Sequence, residues 1–194
     1  MCIRDRKEAQ EEDDKTGLSR CYNIMSQIYT VKRLDSMAFE WQLKEIELTE
    51  KYDLENYNIS QTYSQISSYY INTNQPEKAL EALKKADATA YSPTQKISVQ
   101  LEYVNYYSKF GDMQAAEKIL NECKTAFDQD KRLWSIKKRL YNIEYVYYLQ
   151  SKQYPKALDA AKKQEAEELN LSESIQNSVH YLTKGKIYSN MGNM

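Results

Sequence analysis

Hydrolysis, phosphoryl transfer and metal catalysis each need a few reactive side chains at defined spacing, and this 194-residue chain offers few of them. Its one histidine, His180, excludes a multi-histidine metal centre, and it falls on a C-terminal helical segment with no array around it to orient a hydrolytic triad. Cys2, Cys21 and Cys123 show no CxxC spacing and cannot all pair with one another, so neither a zinc site nor a disulfide framework is indicated, and a reducing compartment fits best. The four glycines, Gly17, Gly111, Gly185 and Gly192, stand apart from one another, so no loop can cradle a phosphate. The clustered carboxylates of 11–14 and 165–168 lie in charge runs, which is the pattern of a solvated helix face and not of an acid/base pair. The expectation is a protein that is not an enzyme, with no cofactor and no bound metal.

Binding to a charged polymer is disfavoured as well. A formal net charge of −1 gives no single-sign field to attract nucleic acid or an anionic membrane over distance. No run approaches the ~18 to 20 apolar residues of a membrane-spanning helix, and a cytoplasmic location is expected. With only 4 Gly and 3 Pro, the chain lacks the turn residues that short-stranded β folds need, so helices must position whatever site exists.

At the front, MCIRDR is similar to the translated end of a transposon-derived sequencing adaptor and is set aside. Residues 7–17 are mostly charged without an apolar stripe, which reads as a linker or frayed helix tail. Residues 1–17 are therefore an artefactual or linker N-terminus, and organisation begins at residue 18.

From there a pattern recurs. Alanines that follow a short polar break stand at Ala38, Ala79, Ala116 and Ala157, and nine residues before each is a tyrosine: Tyr29, Tyr70, Tyr107 and Tyr148. Seven residues further upstream tyrosine returns as Tyr22, Tyr63 and Tyr141, with Gln100 breaking the series. Side chains seven apart share one helix face, and a small alanine suits the start of a helix in close contact, so one unit is a helical hairpin. Pro76, Pro155 and the Gly111-Asp112 pair occupy the breaks, where a first-turn proline or a turn glycine followed by an N-cap belongs. Ser92-Pro93 repeats the cap-then-proline signal, and 113–127 carries the apolar stripe of a second helix. The tyrosines are expected to pack between helices, since an aromatic stacking platform for bases comes with a basic groove that is missing here.

The units Tyr22-x2-Met25-Ser26-x2-Tyr29 to Ala38 and Tyr63-x2-Ile66-Ser67-x2-Tyr70 to Ala79 resemble the tetratricopeptide repeat. A third copy runs from Gln100 through Tyr103, Val104 and Tyr107 to Ala116. A fourth runs from Tyr141 through Glu144, Tyr145 and Tyr148 to Ala157 and departs most, with a glutamate and a bulky tyrosine at the apolar and small positions. The family's junction proline is absent. The resemblance implies an all-α fold, with antiparallel helical hairpins stacked as a right-handed solenoid over residues 18–194. Tyr181-x2-Lys184-Gly185-x2-Tyr188 is a fifth first helix, which would leave Ile187, Tyr188 and Met191 without a covering second helix and makes the chain a fragment of a longer protein. Nine helices are expected, four complete hairpins and one half.

In the tetratricopeptide family the first helices line a concave groove that takes a peptide or a partner's helix. Carried over, that groove presents Asn23, Gln27, Gln61, Ser64, Ser68, Leu101, Asn105, Arg139, Asn142 and Val146. Its amides can donate to and accept from a peptide backbone, while Leu101 and Val146 would hold an apolar anchor. The basic clamp that some members close on a C-terminal carboxylate is missing, because Asn23, Gln65, Ser98 and Glu102 occupy its positions. The resemblance thus implies a protein- or peptide-binding scaffold with a protein partner, no direct nucleic acid and no membrane segment. The alternative is the sensory or regulatory region of a larger signalling protein, a transcriptional regulator or histidine kinase.

Overall fold

The computed structural model describes residues 2–167 together with Gly185, Ile187 and Ser189, and among these every regular element is helical. The chain divides into two compact units, residues 1–90 and 91–194. The first holds α1 (Cys2–Glu11), α2 (Lys15–Val31), α3 (Asp35–Tyr52), α4 (Ile59–Asn72) and α5 (Pro76–Thr89). The second holds α6 (Pro93–Phe110), α7 (Met113–Gln129), a 3-10 turn (Lys131–Ile136), α8 (Lys137–Gln150) and α9 (Tyr154–Glu167). The expected fold class, all-α and built of stacked antiparallel hairpins, is the one found. The hairpins are α2 with α3, α4 with α5, α6 with α7 and α8 with α9, and α3 also packs on α4, as α6 does on α8.

The spacing of nine between tyrosine and alanine has a backbone cause. In each hairpin the tyrosine carbonyl accepts the hydrogen bond that closes the turn, from Leu34, Gln75, Gly111 and Gln153 to Tyr29, Tyr70, Tyr107 and Tyr148 at 2.8–3.0 Å. Five residues before each alanine the chain turns through the left-handed region, at Arg33 (φ 56°), Asn74 (φ 59°), Gly111 (φ 98°) and Lys152 (φ 59°). Each alanine N–H then bonds the carbonyl four residues back, starting the next helix. Ala38, Ala79, Ala116 and Ala157 are all buried, the last three completely. The caps follow the sequence signals: Ser92 and Gln95 form a reciprocal capping box on α6, and Asp112 accepts from the Ala115 N–H at 3.0 Å.

The tyrosines depart in part from expectation. Tyr63 is buried, but Tyr29, Tyr70, Tyr107 and Tyr148 are half-buried, and Tyr70, Tyr107 and Tyr148 lie against neighbouring rings or lysines. Tyr70 meets Phe39 edge-on at 5.3 Å with the Lys78 ammonium 5.5 Å from its centroid, and Lys156 sits the same way 5.5 Å over Tyr148. A phenol keeps its hydroxyl in water this way while its ring leaves it.

Two observations concern the ends. The segment read as a linker or frayed helix tail is in part helical: α1 packs on α2, Ala9 is buried and the Arg6 guanidinium lies 5.4 Å over the Trp41 ring. Ile187, expected to be left in water, is fully buried against Tyr154, Ala157 and Ala161, because the start of α9 offers it an apolar seat. Most of the fifth copy, including Tyr181, Tyr188 and Met191, and His180 with it, lies outside the described residues.

Candidate functional site

Among the described residues no three His, Cys, Asp or Glu side chains are grouped to hold a metal ion, and no helix is long and apolar enough to cross a membrane. The acidic run at 11–14 is exposed, and its last member, Asp14, caps α2 by accepting from the Gly17 N–H at 2.9 Å. Cys123 is buried in the core of the second unit, where desolvation pushes its thiol up to about 12. At neutral pH it stays protonated and unreactive. What the fold presents is a set of polar clefts.

In the first unit, α2 brings together Asn23 and Gln27 one turn apart, and the Gln27 amide donates to the Asn23 side-chain oxygen at 2.7 Å. Asn23 in turn donates to both carboxylate oxygens of Glu45 on α3, at 3.2 and 3.1 Å. Asn56, in the α3–α4 loop, and Thr62, on α4, complete the set at 2.9 and 3.1 Å. Glu45 is 1% exposed and its donors are all neutral; burial raises its pKa, against the lowering effect of the three hydrogen bonds. Above it opens a cleft of about 520 Å³ lined by Arg20, Asn23, Asn56 and Tyr57 among others. Gln61 is exposed on α4.

A second cleft, of about 480 Å³, lies between the first hairpin and α4. Ser68 lines it with Thr30, Gln42, Gln65 and Asn72, and on its floor the Gln42 amide donates to the Gln65 side-chain oxygen at 3.0 Å. Ser64 does not reach either cleft. It is 2% exposed and donates to the Ser60 carbonyl of its own helix at 3.0 Å, so it is withdrawn as a surface residue.

In the second unit, Leu101 is also withdrawn. With α7 and α8 both packed on α6, its side chain sits at 0% exposure in the core with Val104, Leu120 and Leu140, and no apolar anchor can reach it. Asn105 and Arg139 are brought together on the buried Glu102, each donating to one carboxylate oxygen at 2.9 Å. Asn142 is exposed and Val146 half-buried on α8. A third cleft, of about 410 Å³, is bounded by Lys124, Trp134, Lys137, Tyr141, Glu144 and Lys163 among others. Lys124 pairs with Glu144 at 2.8 Å, and Trp134 is 55% exposed.

Reading the sequence for first-helix faces missed the residues that organise these clefts. Gln42 and Glu45 lie on the second helix of their hairpin, in the buried stripe Ala38, Gln42, Glu45, Ile46, Thr49. Polar residues at the spacing of a core stripe were the available signal.

Known proteins resemble this arrangement. The profile of the family described as 26S proteasome subunit RPN7 matches residues 30–163, from the end of α2 into α9. Among solved structures, BtubC (BKLC) from P. vanneervenii is similar with a TM-score of 0.61 at 15% identity, over 98% of this chain and 82% of that one, a likeness of fold. No curated protein sequence matches the chain at a significant level. The family profile spans well over half of the residues, and the chain belongs to the family of the 26S proteasome subunit RPN7.

Proposed function

We propose that this chain is a protein-interaction scaffold, a run of tetratricopeptide-like hairpins that holds an extended segment of a partner protein within a multi-subunit assembly. The observation that carries the reading is the amide- and hydroxyl-lined cleft around Ser68, with the Gln42 and Gln65 side chains on its floor. Such groups both donate and accept, so they match a peptide backbone whatever its side chains. Asn23, Gln27 and Gln61 give the first unit further amide groups; in the second unit Asn105 and Asn142 are of the same kind, and Val146 is the remaining candidate for an apolar anchor. The matched family is named for a subunit of a larger particle, and a subunit must bind its neighbours. On this reading the chain is non-catalytic, cytoplasmic and without direct contact to nucleic acid. No observation among the described residues favours the sensory or regulatory alternative.

The test is to purify the tagged full chain from its own cells and place a photo-cross-linking residue at Gln65. The expected result is one neighbour in fixed stoichiometry, cross-linked at that position and lost when Ser68→Trp fills the cleft. A chain that purifies alone, or a neighbour retained at full occupancy by the Ser68→Trp variant, overturns the reading.

A further inference from the structure

We propose that the cleft over Glu45 in the first unit takes the side chain of a lysine from an extended segment of a partner protein, with the ammonium group compensating the buried carboxylate. The site differs in chemistry from the cleft around Ser68 and does not require that cleft to bind anything.

The site begins with a charge that the chain leaves uncompensated. In the second unit the buried Glu102 and Glu144 each meet a cation of the same chain, the Arg139 guanidinium at 2.9 Å and the Lys124 ammonium at 2.8 Å. Glu45 is buried more deeply than either, at 1% exposure against 3% and 5%. Its four hydrogen bonds all come from neutral groups, two from Asn23 and one each from Asn56 and Thr62. Burial and these bonds alone displace its pKa, with no cation contributing. A buried carboxylate without a counter-charge is costly, and the usual remedy is a paired ion. Where Glu102 and Glu144 have a basic neighbour, Glu45 has an open cleft of about 520 Å³, whose wall it forms in part.

The lining of the cleft chooses the cation. Ile24, 43% exposed, and Leu54 offer apolar surface to a four-carbon stem that ends in a charge. The Asn23 side-chain oxygen accepts one bond, from Gln27 at 2.7 Å, and that of Asn56 accepts one from the Asn58 N–H at 2.9 Å. Each amide oxygen therefore keeps a lone pair for an ammonium hydrogen. Both Glu45 oxygens already take two donors each, which leaves no free edge for the paired N–H groups of a guanidinium. A compact ammonium needs only to stand close to the charge, which selects lysine over arginine. The other charged residues lining the cleft, Arg20 and Glu55, are both exposed and opposite in sign, so the carboxylate at the floor decides which ion is held.

The experiment titrates the isotope-labelled full chain at neutral pH with an acetylated and amidated peptide of Ser and Ala residues around one lysine, followed by amide NMR. The expected result is saturable shifts centred on the Asn23 and Asn56 side-chain amides and the Ile24 backbone. Replacing the lysine by acetyl-lysine, which keeps the stem and removes the charge, should lower affinity about tenfold or more, and Glu45→Gln in the protein by a similar factor. Glu77→Gln, which removes the same charge from an exposed position of α5, should change nothing. Circular dichroism checks that each variant is folded; the acetyl-lysine peptide, which leaves the protein untouched, keeps the test open should Glu45→Gln unfold. The lysine peptide should bind the Ser68→Trp variant normally, so that failure here and failure of the scaffold reading are told apart. Absence of saturable shifts at these groups, equal affinity in the folded Glu45→Gln variant, equal binding of the acetyl-lysine peptide, tighter binding of the arginine version, or binding of free butylamine as tight as that of the peptide would each overturn the proposal.

Discussion

The Ser67 hydroxyl donates to the Ala79 carbonyl at 3.0 Å, and both side chains are fully buried. A bond between a first-helix serine and the backbone of the second helix requires that α4 and α5 approach more closely than a branched side chain at either position would allow. Ala79→Leu should therefore destabilise by about 1–3 kcal/mol, as should Ala116→Leu in the second unit, because the added carbons force the helices apart. Denaturant midpoints read the effect. If both stay unchanged, the repeated alanines are not packing positions.

The left-handed turn residues make a prediction of opposite sign. Arg33 and Lys152 hold φ values of 56° and 59°, a conformation that costs a side chain with a Cβ about 1–2 kcal/mol relative to the right-handed region. Arg33→Gly and Lys152→Gly should each stabilise by about 0.5–1 kcal/mol, the relief being partly offset by the extra freedom of glycine in the unfolded chain. Gly111→Ala should destabilise by about 1 kcal/mol, although a Cβ there meets nothing within 4 Å, so the cost is backbone strain alone. Thermal melts of the three variants check the signs. Losses for both glycine variants would mean that the arginine and lysine stems contribute packing that outweighs the turn.

The hairpins were legible because they leave two independent marks, a tyrosine whose carbonyl closes the turn and an alanine where the helices touch. The left-handed positions at Arg33 and Lys152 were not, since arginine and lysine carry no sign of positive φ, whereas Asn74 and Gly111 are residue types that favour it. The residues expected on a groove fall in different surroundings. Asn23 and Ser68 do line clefts, but Ser64 and Leu101 are covered, because reading one helix face at a time leaves out the neighbouring helix that packs on it. Glu45 and Trp134 escaped for related reasons: a buried carboxylate reads in sequence like any glutamate of an exposed face, and the 3-10 turn carries no periodicity from which to place its tryptophan.

Glu45 gives the chain a pH dependence that can be isolated. Burial raises its pKa above the ordinary carboxylate value, so the folded state disfavours the ionised form relative to the unfolded chain. Its contribution to stability is therefore fully present below the unfolded value and is lost as pH rises through the higher folded value. Glu45→Gln keeps the volume and removes the charge. Relative to the wild type, the variant should gain stability as pH is raised from about 4 to about 7, with the change confined to the range above the ordinary value of about 4.3. Melts in matched buffers test this. A difference that stays constant across the range, or that grows toward acid, would mean that the Asn23, Asn56 and Thr62 donors outweigh desolvation and hold the carboxylate ionised.

Arg139 separates a structural role from a binding one. Its guanidinium donates to Glu102 at 2.9 Å; Glu102 has a side chain 4% exposed and also accepts from Asn105. If Arg139 served mainly to grip a partner, removing it would leave the fold unchanged. The geometry demands otherwise, because Arg139→Ala leaves a buried carboxylate with one charge-assisted bond fewer. Arg139 is itself one-third exposed, so the loss is smaller than for a fully buried pair, about 1–3 kcal/mol. Glu102→Gln made in the Arg139→Ala background should recover part of that loss by removing a buried charge that has lost its cation, whereas the same change in the wild type should be destabilising. The cycle of four proteins, read by denaturant midpoints at constant m-value, returns a coupling energy for the pair. A coupling near zero would free Arg139 from its structural role and return it to the set of residues available to a bound segment.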